Sequence, residues 1–140
     1  MSIFVLDACA LIAYINKEDG WDVIRDMYNQ AFEDKNTDIY MNKLNLLECY
    51  YDVIKKLGVE DADWTMKTVR EMPINVVDCW DKDDVVFKKA GYFKSKYKMS
   101  LADSVALAES EARGGSLVTS DHGEFDAVER SENISIKWFR

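Results

Sequence analysis

Four carboxylates set among apolar residues are the groups in this chain whose types and spacing could do chemistry. Asp7 lies in Val5-Leu6-Asp7-Ala8-Cys9-Ala10 and Glu48 in Asn45-Leu46-Leu47-Glu48. Asp103 lies in Ser100-Leu101-Ala102-Asp103 and Asp121 in Thr119-Ser120-Asp121-His122. Drawing a carboxylate under apolar side chains is costly unless something compensates it. The chain has one His and few basic residues beside these segments, so a divalent cation is the natural compensator. Oxygen-only donors favour Mg²⁺ or Mn²⁺ over zinc, which prefers nitrogen and sulfur. Mg²⁺ keeps several waters and leaves room for a substrate phosphate. Two such ions ~3.5–4 Å apart can clamp the attacking and leaving oxygens of a phosphodiester displacement, with no histidine base required.

Each acid also has an ordinary explanation. Asp7 can cap a helix after the first strand, and Asp121 can cap a short helix that follows it. Asp103 stands three residues after Ser100, the spacing of a capping box. Glu48 lies at the margin of a broad apolar face and can be a solvated edge residue. Their joint occurrence is what favours a common site.

The elements that must position these acids alternate between strand and helix. Ile3-Phe4-Val5-Leu6 is a continuous apolar run, as in a parallel strand covered on both faces. Helices are predicted over about 10–15 and 21–33, and a short strand over 38–41. A helix over 43–57 carries Leu44, Leu47, Tyr51 and Ile54 on one stripe, with Gly58 as its stop signal. A helix over 61–72 ends at Pro73, the only proline. A strand over 74–77 follows, then two adjacent helices over 83–97 and 101–113, the second closed by Gly114-Gly115. Leu117-Val118-Thr119 reads as a strand, 125–130 as a short helix, and 134–138 as an edge strand. This order implies an α/β fold, a single domain over 1–140 with a mainly parallel sheet of about five strands and helices on both faces. Such sheets place chemistry at the carboxyl ends of strands, near a topological switch point, and both Asp7 and Asp121 fall just after a strand.

Composition agrees with one ordinary globular domain: 140 residues, 48% hydrophobic and 31% charged. No apolar run approaches the ~20 residues that span a bilayer, and the start lacks the basic region of a secretory signal. Three widely spaced cysteines, Cys9, Cys49 and Cys79, read as reduced thiols of a cytoplasmic protein and form no zinc pattern. A net charge of −8 argues against passive binding to nucleic acid. It does not exclude a nucleic-acid enzyme whose acids hold cations.

On these residues the chain resembles the PIN domain family, and within it the small toxin ribonucleases of the VapC type. Asp7 in Leu6-Asp7-Ala8-Cys9-Ala10-Leu11 resembles the first motif, Glu48 the second, Asp103 in Ser100-Leu101-Ala102-Asp103-Ser104 the third, and Asp121 in Thr119-Ser120-Asp121 the fourth. The resemblance spans essentially the whole chain. It implies a Mg²⁺- or Mn²⁺-dependent endoribonuclease that leaves a 5′-phosphate and a 3′-hydroxyl. Asp7, Asp103 and Asp121 are then the metal ligands, Asp7 centrally. Glu48 completes the catalytic set by binding metal through water or by orienting the attacking water. It also implies an RNA substrate, a small antitoxin protein, a homodimer, and no membrane partner. Cys9 departs from the Ser or Thr that the family often carries near the first acid. A thiol is a poorer hydrogen-bond partner, which puts the surroundings of Asp7 in question. Glu124 and Asp126, after the fourth motif, could supply an extra or alternative ligand, but solvated helix surface is the favoured place for both. His122 is expected to be a turn residue or phosphate contact rather than a base.

Substrate attraction needs local positive charge. Lys88, Lys89, Lys94, Lys96 and Lys98 cluster just before the Asp103 segment, flanking a stripe of Val86, Ala90, Phe93 and Tyr97. They read either as a solvated face or as a basic rim leading phosphates toward Asp103, with Lys96 and Lys98 as the substrate-binding candidates. Tyr50, Tyr51, Trp64, Trp80, Phe87 and Tyr92 are expected in core or interface rather than under stacked bases. An apolar groove around Tyr14, Trp21 and Tyr28 would suit an antitoxin helix, and core packing explains them as well. Three alternatives stand beside the toxin. One is a housekeeping PIN nuclease and another a catalytically silent PIN-like interaction module, although all four acids are present. The third is an aspartyl phosphatase, which would need a second Asp where Cys9 stands.

Overall fold

Five strands form one sheet in the order β3-β2-β1-β4-β5, and every neighbouring pair is parallel. The computed structural model describes residues 1–80 and 82–140. Strand β1 (Ser2–Leu6) is the apolar run at the start of the chain and lies at the centre of the sheet. It continues into α1 (Ala8–Asn16) and α2 (Trp21–Glu33), which return the chain to β2 (Thr37–Asn42). Helices α3 (Lys43–Leu57) and α4 (Val59–Arg70) lead outward to β3 (Asn75–Val77). Helices α5 (Val85–Lys96) and α6 (Leu101–Arg113) then carry the chain back across to β4 (Ser116–Thr119), on the other side of β1. Helix α7 (His122–Ser131) ends the crossover to the edge strand β5 (Ser135–Trp138). The predicted α/β fold with a parallel sheet is the fold observed. The reversal of strand order between β1 and β4 is the switch point at which such sheets hold their sites.

Strand alternation divides the core between the two sheet faces. Leu6, Ile39, Met41 and Val118 face one apolar cluster with Leu11, Ile24 and Tyr28 from α1 and α2. Leu117 faces the other, with Phe93, Leu107, Phe125 and Val128 from α5, α6 and α7. The turn between α1 and α2 is pinned by Gly20, whose φ of +86° suits glycine and whose Cβ, if present, would run into the Phe139 carbonyl. Gly115 brings β4 close to β1: a Cβ there would lie 2.7 Å from the Ile3 carbonyl oxygen.

Helices α2, α3 and α6 span the ranges their periodicity predicts. Helix α7 begins three residues earlier than its apolar pattern, because Asp121 caps it from the loop. The predicted stripe of α3 is corrected. Leu47 and Tyr51 are 55% and 49% exposed, while Asn45 and Cys49 are buried. Helix α3 packs its polar-looking side against α1 and α6 and leaves half of its apolar stripe outside. Of the predicted groove residues, Tyr28 is buried in the core, with Tyr14 edge-on against it at 4.6 Å and Trp21 beside Tyr14. Trp64, Trp80, Phe87 and Tyr92 are exposed rather than core. No helix among the described residues is long and apolar enough to cross a membrane.

Candidate functional site

The four predicted acids meet around the carboxyl ends of β1 and β4. Asp7 follows β1 directly and caps α1: its Oδ1 accepts from the Ala10 backbone N–H at 2.9 Å. Asp121 follows β4 and caps α7, its Oδ1 accepting from the Glu124 N–H at 3.1 Å. Asp103 sits in the first turn of α6, where its N–H donates to the Ser100 hydroxyl at 3.1 Å. Asp7 and Asp121 are helix caps as expected, Asp103 follows the Ser100 cap of α6, and the same placements bring the acids to one end of the sheet. Three helix N-termini, each carrying a partial positive charge, open toward one acidic cluster and offset part of its self-repulsion. Glu48 comes from the middle of α3. That helix is tied to α6 by Asn45, fully buried, whose Nδ2 donates to the Ala102 carbonyl at 3.0 Å beside Asp103.

Three acids form the tightest group. One carboxylate oxygen each from Asp103, Asp121 and Glu124 lie within 4.8 Å of one another. Asp7 is 2% exposed and lies deeper, close enough to Asp121, Asp103 and Glu48 for their charges to be felt mutually. Burial pushes the Asp7 carboxyl up, opposed by hydrogen bonds from Cys9, Thr119 and Ala10, and the Asp121 charge pushes it further. Burial also raises Asp103, to about 7, with Ser100 opposing and Asp7, Glu124 and Glu48 adding to the rise. Glu48 is raised by burial and by the Asp7, Asp52 and Asp121 charges. Glu124 is raised by burial and by Asp121, with the nearby Lys94 ammonium opposing.

The donor set fits a hard divalent cation. Glu48 Oε2 and Glu124 Oε2 are enclosed and have no hydrogen-bond partner. Among the described residues, no Lys, Arg or His side chain forms an ion pair with Asp7, Glu48, Asp103, Asp121 or Glu124. Like charges gathered without a cationic side chain are stable only if protonated or bound to a cation.

Two sequence expectations change here. Glu124 is not solvated helix surface: it is half-buried and belongs to the closest triad. The Asp121-x-x-Glu124 spacing, one helical turn apart on a capped N-terminus, is the signal that could have placed it. Asp126 does lie outside the cluster, paired with His122 Nδ1 at 3.0 Å. His122 also contacts the Arg140 carbonyl through Nε2 at 3.1 Å and stacks on Trp138, so it belongs to a clasp on the C-terminal segment. Lys96 is engaged by Glu132 at 3.0 Å and by the Tyr92 hydroxyl at 2.9 Å. Lys98 is exposed. The lysine whose charge reaches the acids is Lys94.

The profile of the PIN domain family matches residues 4–131. Among curated proteins no relative matches. Among solved structures the chain is similar to DNA-bound VapBC from Salmonella typhimurium, at 20% identity and a TM-score of 0.74, covering 100% of both chains. It is similar also to VapBC2 from Rickettsia felis bound to a fragment of its promoter, at 18% identity and a TM-score of 0.73, covering 97% of this chain and 98% of that one. Mycobacterium tuberculosis VapC20, a sarcin-ricin loop cleaving toxin, matches at 16% identity and a TM-score of 0.56, covering 83% and 87%. At these identities the likeness is one of fold.

Proposed function

This chain belongs to the PIN domain family, and from that premise we propose that it is a metal-dependent endoribonuclease, the toxin of a toxin–antitoxin pair. The observation that carries the reading is the close triad of Asp103, Asp121 and Glu124 beside Asp7 and Glu48, with no cationic side chain among the described residues in an ion pair with any of the five. Asp103, Asp121 and Glu124 would hold Mg²⁺ or Mn²⁺ from the open side, and Asp7 from the floor of the site, in a two-metal arrangement. Such ions supply Lewis acidity at the scissile phosphate and an ionised water near neutral pH. Glu48, raised by its surroundings, is suited to take a proton from the attacking water and to orient it. The positive ends of α1, α6 and α7, together with Lys94, draw the RNA phosphate toward the acids. Cleavage leaves a 5′-phosphate and a 3′-hydroxyl.

A second copy of the chain is the first proposed partner. Leu47, Trp80, Phe87 and Leu101 line an apolar groove of about 860 Å³ between α3, α5 and α6. Trp80 is 71% exposed at its edge. A face carrying both a projecting indole and a groove is self-complementary, as a two-fold interface requires. Trp80→Asp should turn a dimer into a monomer in light scattering. A small antitoxin is the second partner, supported by kinship of fold with chains crystallised as VapBC complexes. Growth arrest on expression, relieved by co-expression of a short DNA-binding protein encoded beside the gene, would separate a toxin from a housekeeping nuclease.

The decisive experiment is cleavage of RNA with Mg²⁺ or Mn²⁺ by wild type and Asp7→Asn. Cleavage that needs the ion and is lost in the variant is expected. Equal cleavage by both, or cleavage that persists in chelator, would overturn the reading.

A further inference from the structure

We infer that Cys9 is a positioning residue: its thiol, braced from the end of β4, sets the orientation of the Asp7 carboxylate. The Cys9 Sγ lies 3.0 Å from Asp7 Oδ1 and 3.2 Å from Oδ2, so the thiol hydrogen is shared by the two oxygens. The Ala10 N–H already holds Oδ1 at 2.9 Å. Two donors from one side define the plane of the carboxylate. The Thr119 hydroxyl, at the end of β4, is a third donor to this carboxylate.

The sulfur is itself held. Thr119 Oγ1 is 3.7 Å from it and Ser120 Oγ is 3.6 Å from it. Ser120 Oγ in turn accepts from Arg140 Nη2 at 3.2 Å, and Arg140 Nη1 donates to the Asp19 carbonyl at 3.3 Å. The thiol thus spans the switch point, joining the acid that follows β1 to the two residues that precede Asp121. A rotation of Cys9 would free Asp7 to turn and would also loosen the Asp121 loop. The thiol is half-buried, and the two Asp7 oxygens beside it are acceptors, so it acts as a hydrogen donor. A hydroxyl there would donate more strongly over a shorter distance, so serine should replace the bond while alanine removes it.

This inference rests on the metal-site reading, and the test separates the two. Mn²⁺ binding to the intact chain is measured by electron paramagnetic resonance, alongside RNA cleavage and thermal melting, for wild type, Cys9→Ala, Cys9→Ser and Ser120→Ala. Expected for Cys9→Ala is an Mn²⁺ affinity ~10–100-fold weaker, with a matching fall in kcat and little change in KM for RNA. Cys9→Ser should stay within ~3-fold of wild type. Ser120→Ala, which removes a brace and keeps the thiol, should lose less than Cys9→Ala. It carries the test if Cys9→Ala does not fold. Wild-type Mn²⁺ affinity in folded Cys9→Ala overturns the inference alone. So do equal losses in Cys9→Ser and Cys9→Ala, which would assign the role to volume, and so does an unaltered Ser120→Ala should Cys9→Ala fail to fold. Absence of Mn²⁺ binding by wild type overturns the metal-site reading and this inference with it.

Discussion

Glu109 on α6 and Asp7 at the end of β1 are both buried carboxylates, and the chain treats them in opposite ways. Glu109 has no exposed surface. Its Oε1 accepts from Asn42 Nδ2 at 2.9 Å, and its Oε2 pairs with Arg113 Nε at 3.0 Å. The same Asn42 caps α3 through its Oδ1, so the group joins β2, α3 and α6 with every atom occupied and its charge matched. Asp7 has only neutral donors, the Cys9 thiol, the Thr119 hydroxyl and one backbone N–H, and the charged neighbours that raise it are other acids. The fold can neutralise a buried carboxylate from its own side chains where the purpose is architecture. At the switch point no cationic side chain among the described residues forms an ion pair with the acids, which is the arrangement that the proposed metal site requires.

Substitutions test that contrast, the largest expected effect first. Glu109→Ala should cost about 3 kcal/mol of folding stability, because it leaves Asn42 buried and Arg113 partly buried without their partner. Urea denaturation would measure this, and the folded fraction should cleave RNA at the wild-type rate. Asp7→Asn should do the reverse. Cleavage should fall by about 10²–10³-fold, the scale of losing one charge-stabilising group at a reacting centre. The metal-free protein should melt no lower than wild type, since asparagine still caps α1 and the repulsion with Asp121 is relieved. A large drop in melting temperature would show that Asp7 is architectural after all.

Glu124→Gln should weaken Mn²⁺ binding by about 10–100-fold, measured by titration, if Glu124 is a full member of the triad. Asp126→Asn, whose side chain pairs with His122 instead, should leave the affinity unchanged. A last expected effect is in pH dependence. Asp103 is raised from 3.8 to about 7 in the folded chain, so over that interval the folded state holds a proton that the unfolded state has released. Stability of the metal-free protein should therefore fall as pH rises from about 4 through about 7. Melting curves in chelator would show the slope, and Asp103→Asn or added Mn²⁺ should flatten it.

Much of the fold was legible because it is written locally. The ranges of α2, α3 and α6 follow from apolar spacing, the Gly58 and Gly114 stops and the Ser100 cap. The central strand follows from a run too apolar for any element exposed on one face. Which side of α3 is buried was not legible. Leu47 and Tyr51 are as apolar as core residues, and only the approach of α1 and α6 decides that Asn45 and Cys49 turn inward. Glu124 was ranked below solvated surface, and Lys94 behind Lys96 and Lys98, for the same reason. Their neighbours come from other elements, and no periodicity within one helix reports them.

The site divides along the same line. The sequence by itself marked four acids and their order, and indicated that Asp7 and Asp121 would follow strands and begin helices. It also marked Cys9 as an unusual neighbour of Asp7. Only the tertiary structure decided that these acids meet, because their meeting depends on β4 pairing with β1 across more than a hundred residues of chain. That pairing is a long-range contact with no local signature. It is set by the burial of two sheet faces at once, and it is what brings acids from three helix N-termini into one cluster.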